Sequence, residues 1–159
     1  MKTIDFNFDN VGGMAHLYLI EAAAISAINT NVSSGKVLPV LESGATVYKI
    51  IVYGGDSFVF YEVMSVEDSG NVYNVAISGF IPKLDNLVDI AQLERGEWLA
   101  LHQDANGNII LSGTRDVPLR FLSSKSTGSG SAKNATAFTL QAKEPSPSMM
   151  AESAALEFS

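Results

Sequence analysis

The residues of this chain that could do chemistry are few, and each lacks the spacing its chemistry needs. Asp104, Asn106 and Asn108 place oxygen donors at alternate positions, as a calcium loop begins. In an EF-hand loop starting at Asp104 the bidentate glutamate would fall at Arg115, and the glycine, Gly107, comes too early. A hairpin turn is the better reading. His16 and His102 lie in apolar runs, with no cysteine in the chain and no close histidine pair, so a zinc site would have to be gathered from distant residues. Ser33 and Lys36 match Ser-x-x-Lys, but in a Ser/Gly loop without the companion motifs of penicillin-recognising enzymes, and no Gly-x-Ser-x-Gly elbow occurs. Gly35-Lys36 lacks the rest of a phosphate-binding loop. Glu42, Glu62, Glu67, Asp68, Glu94 and Glu97 could supply an acid/base pair, yet no spacing brings two of them together, and a solvated face is the default. Trp98, the only tryptophan, reads as core or interface. No catalytic, cofactor-binding or metal-ligating residue is assigned, and the chain is expected not to be an enzyme.

Composition bounds the partners. The formal charge of −7 opposes non-specific nucleic-acid binding, which draws its free energy from Lys and Arg displacing counterions on phosphates. Absence of cysteine excludes disulfides and thiolate chemistry. The N-terminal residues alternate apolar and polar and carry two Asp, unlike a signal peptide. The longest mostly apolar run, Met14 to Ile28, is interrupted by His16 and Glu21 and is shorter than the roughly 20 residues needed to span a bilayer. No membrane segment is expected.

The elements that would position any site read as strands separated by turns. The surest is a hairpin centred on Asn106-Gly107, which can take the two positive φ values of a type I′ turn between apolar runs. Ile4, Phe6 and Phe8 alternate as on a strand, and Asp9 to Gly13 turns the chain into a second strand, Met14 to Glu21. Ala22 to Ile28 suits either a strand or a helical turn. Asn29 to Lys36 is a polar loop, and Val37 to Leu41 is a short edge strand because Pro39 cannot donate to a ladder. Ala45 to Tyr53 and Ser57 to Met64 flank Gly54-Gly55 as a second hairpin, and Val72 to Ile81 follows as a strand. Between Lys83 and Arg95, Leu84, Leu87, Val88 and Ala91 recur at helical spacing, with Gly96 at the C′ position. Leu119 to Leu122, a Ser/Gly loop from Ser123 to Lys133 and Ala135 to Ala142 complete the pattern. The expected fold is mainly β, an antiparallel β-sandwich or barrel with one packed α-helix. Residues 1–147 form a single domain, and residues 148–159, after Pro145-Ser-Pro147, form a tail or assembly arm.

One resemblance covers the first fifteen residues and about fifty near the end. Asp9-Asn-Val-Gly-Gly13, Glu97-Trp98-Leu-Ala-Leu, Asp104-Ala-Asn-Gly107, Gly113-Thr-Arg-Asp-Val-Pro-Leu-Arg-Phe121, Ser126-Thr-Gly128 and Asn134-Ala-Thr-Ala-Phe-Thr-Leu140 resemble a group of small proteins in bacteriophage and prophage tail regions of Bacteroidetes. The chain departs from that group in having Lys133-Asn134 in place of Arg-Asn and in its longer tail. The resemblance implies a non-enzymatic virion component, such as a tube, ring, adaptor or terminator subunit of the tail, made in the bacterial host cytoplasm. It implies a homo-oligomeric ring docked to other virion proteins, with DNA passing through a lumen that an acidic surface would keep from sticking. Assembly residues are then expected at Ser126, Thr127 and Lys133 in the long loop and at Met149, Met150, Leu156 and Phe158 in the tail, with Trp98 and Phe121 as core or near-interface anchors. The alternative is a carbohydrate- or peptide-binding sandwich, whose mark would be Tyr48, Tyr53, Tyr61 and Tyr73 together on one sheet face.

Overall fold

The computed structural model describes residues 13–50, 58–68, 70–82, 87–126 and 135–157. The expected N-terminal strand, the Gly54-Gly55 turn and most of the Ser123 to Lys133 loop lie outside these residues. The chain runs through β1 (Met14–Glu21), a 3-10 turn (Ala22–Ala24), β2 (Ile25–Thr30), β3 (Val37–Leu41), β4 (Val47–Ile50), β5 (Val59–Glu67) and β6 (Gly70–Pro82). It continues through α1 (Leu87–Arg95), β7 (Glu97–Asp104), β8 (Ile109–Ser112), β9 (Leu119–Ser126), β10 (Ala135–Glu144), β11 (Met149–Met150) and a last 3-10 turn (Ser153–Leu156).

The expected mainly β fold with one packed helix is the one observed, as an open, sandwich-like arrangement and not a closed barrel. Every ladder between named strands is antiparallel. β7 is the strand from which the sheet branches. One of its edges pairs with β1 along its length; the other pairs first with β9 at Glu97 and Trp98, then with β8 from Ala100 to Gln103. Beyond β9 the sheet continues through β10 and β6 to β5, and beyond β1 to β4. The chain leaves β8 where β7 changes partner, and Gly113 stands there with φ +85°; a Cβ on it would lie 3.0 Å from the Trp98 carbonyl.

Branching at β7 gives two cores. The first packs Leu17 and Leu19 of β1, Trp98 and Ala100 of β7, and Phe121, Phe138, Leu140, Val75 and Ile77 of β9, β10 and β6. The second, on the opposite faces of β1 and β7, packs Ile20, Leu99 and Leu101 against Ile109 and Leu111 of β8, the β2–β3 hairpin, and Ala151 and Ala155 near the C-terminus. An unbroken run from Trp98 to His102 is therefore buried on both faces, which is why β7 reads as a continuous apolar stretch instead of an alternation.

Several expectations change in detail. The hairpin after β7 is not a two-residue type I′ turn: Asp104 pairs with Asn108 around three loop residues. The Gly107 N–H donates to the Asp104 carbonyl at 3.1 Å, and Gly107 takes the left-handed position at φ +86°. This is a type I turn with a following bulge, selected because the Asp104 carboxylate accepts from the Asn106 and Asn108 N–H groups at 2.9 and 2.8 Å. Ala22 to Ile28 resolves into both readings, a 3-10 turn and then β2. The second expected hairpin is not formed by the described residues, because β4 pairs with β1 and β5 pairs with β6. Gly96 does follow the helix, but without a positive φ. Its missing side chain matters because a Cβ would sit 2.3 Å from the Trp98 ring, whose Nε1–H donates to the Leu93 carbonyl at 2.8 Å.

Candidate functional site

The register of β5, β6, β10 and β9 decides which side chains face the first core and which face away. Phe60, Val75, Ile77, Phe138, Leu140 and Phe121 face in. Their neighbours in sequence face out, and the ladder sets them in rows: Val59, Ser78, Thr139 and Leu122 in one, and Tyr61, Ala76, Gln141 and Arg120 in the next. Phe80 and Ala137 stand beside them. On this outer face Val59 is 53% exposed, Tyr61 61%, Phe80 57% and Leu122 50%, with Val63 also exposed. These five are more than half of the nine large apolar residues exposed in the described chain, so the exposure is concentrated on one face. Arg120 pairs with Glu97, and Lys143 with Glu67 at 3.0 Å, so both cations of the face are neutralised by carboxylates. At the far end of β5, Met64 and Val66 are exposed on the opposite side of the strand.

The expected assembly residues do not gather on this face. Ser126 ends β9, while Thr127, Lys133 and Phe158 lie outside the described residues. Met149 and Met150 form β11, paired with Leu111 and Ile110 of β8. Met149 and Leu156 pack against the second core, and Ala151 and Ala155 are buried in it. Residues 148–157 are thus held by the body of their own chain. Trp98 and Phe121 are both buried in the first core. The tyrosine platform is not assembled by the described residues. Tyr48 packs edge-on against Trp98 with its hydroxyl accepting from Gln92 at 2.7 Å, Tyr61 faces out, Tyr73 falls on the opposite side of the sheet, and Tyr53 lies outside the described residues.

Besides Thr136, whose buried hydroxyl has no hydrogen-bond partner among the described residues, two groups of polar side chains lie in or beside the core. His102, on the inward face of β7, is 1% exposed, and its ring lies 4.5 Å from that of Phe60. Neither ring nitrogen has a hydrogen-bond partner among the described residues. Desolvation drives its pKa down to about 4, against a smaller opposing pull from Asp104, so the imidazole is neutral at physiological pH. Asp104 itself would be raised by burial, but the hydrogen bonds from Asn108 and Asn106 outweigh this and hold it below the usual carboxylate range. His16 is half-buried beside Tyr18, and no cluster of His, Asp or Glu suited to a metal ion occurs among the described residues.

The second group is Glu144, 2% exposed at the end of β10, with Glu62 on β5. Glu144 accepts from the Gly113 N–H at 2.9 Å, and Glu62 accepts from the Ser148 N–H at 2.7 Å. The Ser112 and Ser148 hydroxyls lie 2.9 Å apart beside them. Of the carboxylates considered from sequence, Glu62 enters this group and Glu67, Glu94 and Glu97 enter surface pairs. Glu144 was missed, although its alternation with Phe138, Leu140 and Ala142 places it on the inward side of the strand. Ser33 and Lys36 sit in a turn closed by the Asn31 side chain, which takes the Ser33 hydroxyl at 2.7 Å. No helix among the described residues is long and apolar enough to cross a membrane. No protein-family model, curated protein or solved structure matches this chain.

Proposed function

We propose that the protein is a non-enzymatic structural subunit of a bacteriophage tail, assembling through repeated contacts with copies of itself and with other virion proteins. The observation that carries this reading is the outward face of β5, β6, β10 and β9, where Val59, Tyr61, Val63, Phe80 and Leu122 are exposed together. Apolar side chains spread singly over a surface need no partner, whereas a group on one rigid sheet face favours association. The resemblance of its turn and strand motifs to those of tail-region proteins is what suggests the biological setting. A net charge of −7 suits a subunit past which DNA slides without adhering.

Light scattering on the purified chain, with Tyr61→Lys and Phe80→Lys introduced together, tests the reading. The wild-type protein should form closed oligomers or incorporate into tail assemblies, and the double variant should stay monomeric and folded. A wild-type chain that remains monomeric at high concentration and binds no tail protein would overturn it.

A further inference from the structure

Asn106 is the only asparagine of the chain followed by glycine, and both residues are exposed at the tip of the β7–β8 hairpin. That pair is chemically labile. Once the Gly107 amide has lost its proton, its nitrogen can attack the Asn106 side-chain carbonyl carbon; a C–N bond forms, the bond to the side-chain nitrogen breaks, and that nitrogen takes up a proton and leaves as ammonia. Water then opens the cyclic imide at either carbonyl and leaves aspartate or iso-aspartate, so that water is consumed and ammonia released. Glycine favours the attack because it has no Cβ to crowd its nitrogen. The surroundings are open as well: a Cβ built on Gly107 would meet nothing nearer than the Gln103 Nε2 at 3.9 Å.

The native turn opposes each part of that attack. The Gly107 N–H donates to the Asp104 carbonyl at 3.1 Å, which keeps the nucleophilic nitrogen protonated and fixes its peptide plane. Asn106 is the third residue of the type I turn, where ψ is about 0°. Ring closure needs the Asn106 Cβ, Cα and carbonyl carbon nearly coplanar with the Gly107 nitrogen, and a tetrahedral Cα reaches that arrangement only far from this ψ. The Asp104 carboxylate bonds the Asn106 N–H at 2.9 Å, the Asn108 N–H at 2.8 Å, the Asn108 side-chain amide at 2.8 Å and the Asn106 side chain. The labile residue is thus held by its backbone and its side chain together. The same carboxylate sets a negative charge beside the amide that would have to become anionic.

We propose that Asn106 is a deamidation site that the Asp104 turn keeps closed, so that opening of the β7–β8 hairpin tip exposes the chain to a slow, one-way modification. Conversion puts a second carboxylate beside Asp104, and the iso-aspartate product adds a methylene to the loop backbone. Both disturb the hydrogen bonds that set the loop, and with them the Ala105 N–H bond to the Gly13 carbonyl at 3.1 Å, which ties the turn to the start of β1. The site does not depend on what the protein assembles with.

Incubation of the full chain at mildly alkaline pH reads the reaction directly, with the peptide containing Asn106 followed by mass spectrometry and iso-aspartate assayed by enzymatic methylation. The native wild type should convert at least roughly tenfold more slowly than the same chain unfolded in guanidinium chloride, because turn hydrogen bonds must first open. In the native state Asp104→Ala should speed conversion by roughly tenfold, since it removes the acceptor of those bonds. No conversion in the unfolded chain, equal rates for folded and unfolded wild type, conversion of another asparagine ahead of Asn106, or a folded Asp104→Ala chain no faster than wild type would each overturn the proposal. The wild-type comparison decides alone if that variant does not fold.

Discussion

β7 and β5 are both apolar on both faces, and they end in opposite environments. β7 carries Trp98, Leu99, Ala100 and Leu101 in succession; β1 covers one edge, β8 and β9 share the other, and a core lies on each face. β5 carries Val59, Phe60, Tyr61, Val63, Met64 and Val66, but only Phe60 among these packs against a core, and Tyr61 and Val66 remain largely exposed. The comparison teaches that hydrophobicity of a strand does not by itself say where it sits. In β7 the apolar run is consumed by folding, whereas in β5 it is left over, and surplus apolar surface on a rigid sheet is what an assembling subunit needs.

The sharpest way to break this contrast is on β7. Trp98→Ala removes a fully buried ring and its hydrogen bond to Leu93, and should cost about 3–5 kcal/mol in denaturant unfolding. A loss under about 1 kcal/mol would mean that β7 is not the shared wall of two cores. Next comes His102. Its folded pKa of about 4 lies below the ordinary 6.5, so the stability it contributes is present above pH 6.5 and lost as pH falls toward 4, by up to about 3 kcal/mol. His102→Leu should remove that portion of the acid sensitivity, as shown by unfolding curves at pH 7 and pH 4.5.

Glu144 acts with the opposite sign and a smaller size. Its raised pKa makes the wild type lose up to about 2 kcal/mol as pH rises from 4.5 past 6, and Glu144→Gln should flatten that slope. Comparing the pH dependence of the two variants separates the acid-labile and base-labile groups. The smallest effect on stability belongs to β5. Tyr61→Lys should change unfolding free energy by no more than about 0.5 kcal/mol while reducing the mass measured by light scattering. A large stability loss there would show that the outer face is covered within one chain and would erase the contrast with β7.

Much of the fold was legible because the relevant signals are local. Met14 to Glu21 and Val37 to Leu41 emerge as strands with the bounds expected, and the helix ends at Arg95 as its spacing indicates. The turn at Asn106-Gly107 was legible as a hairpin but not as a type, because the choice between two and three loop residues depends on the Asp104 carboxylate reaching forward to Asn106 and Asn108. The outer apolar face was not legible, since alternation along β5 shows two faces without saying which one another layer covers. The carboxylate pair was invisible for a related reason: 82 positions separate Glu62 from Glu144, and only the register of β5 and β10 on β6 brings them to the same end of the sandwich.

The sequence by itself determined the class of this protein, because period-two patterning, turn residues and one helical stretch act over a few residues and need no distant partner. It also determined the absence of thiol chemistry and the acidic balance, which are properties of composition. Tertiary structure alone decided that β7 is the branch point, that residues 148–157 close the second core, and that Val59, Tyr61, Phe80 and Leu122 stay in water. Those outcomes depend on which strand edges meet and which faces are covered, and pairings between distant segments leave no trace in any one of them.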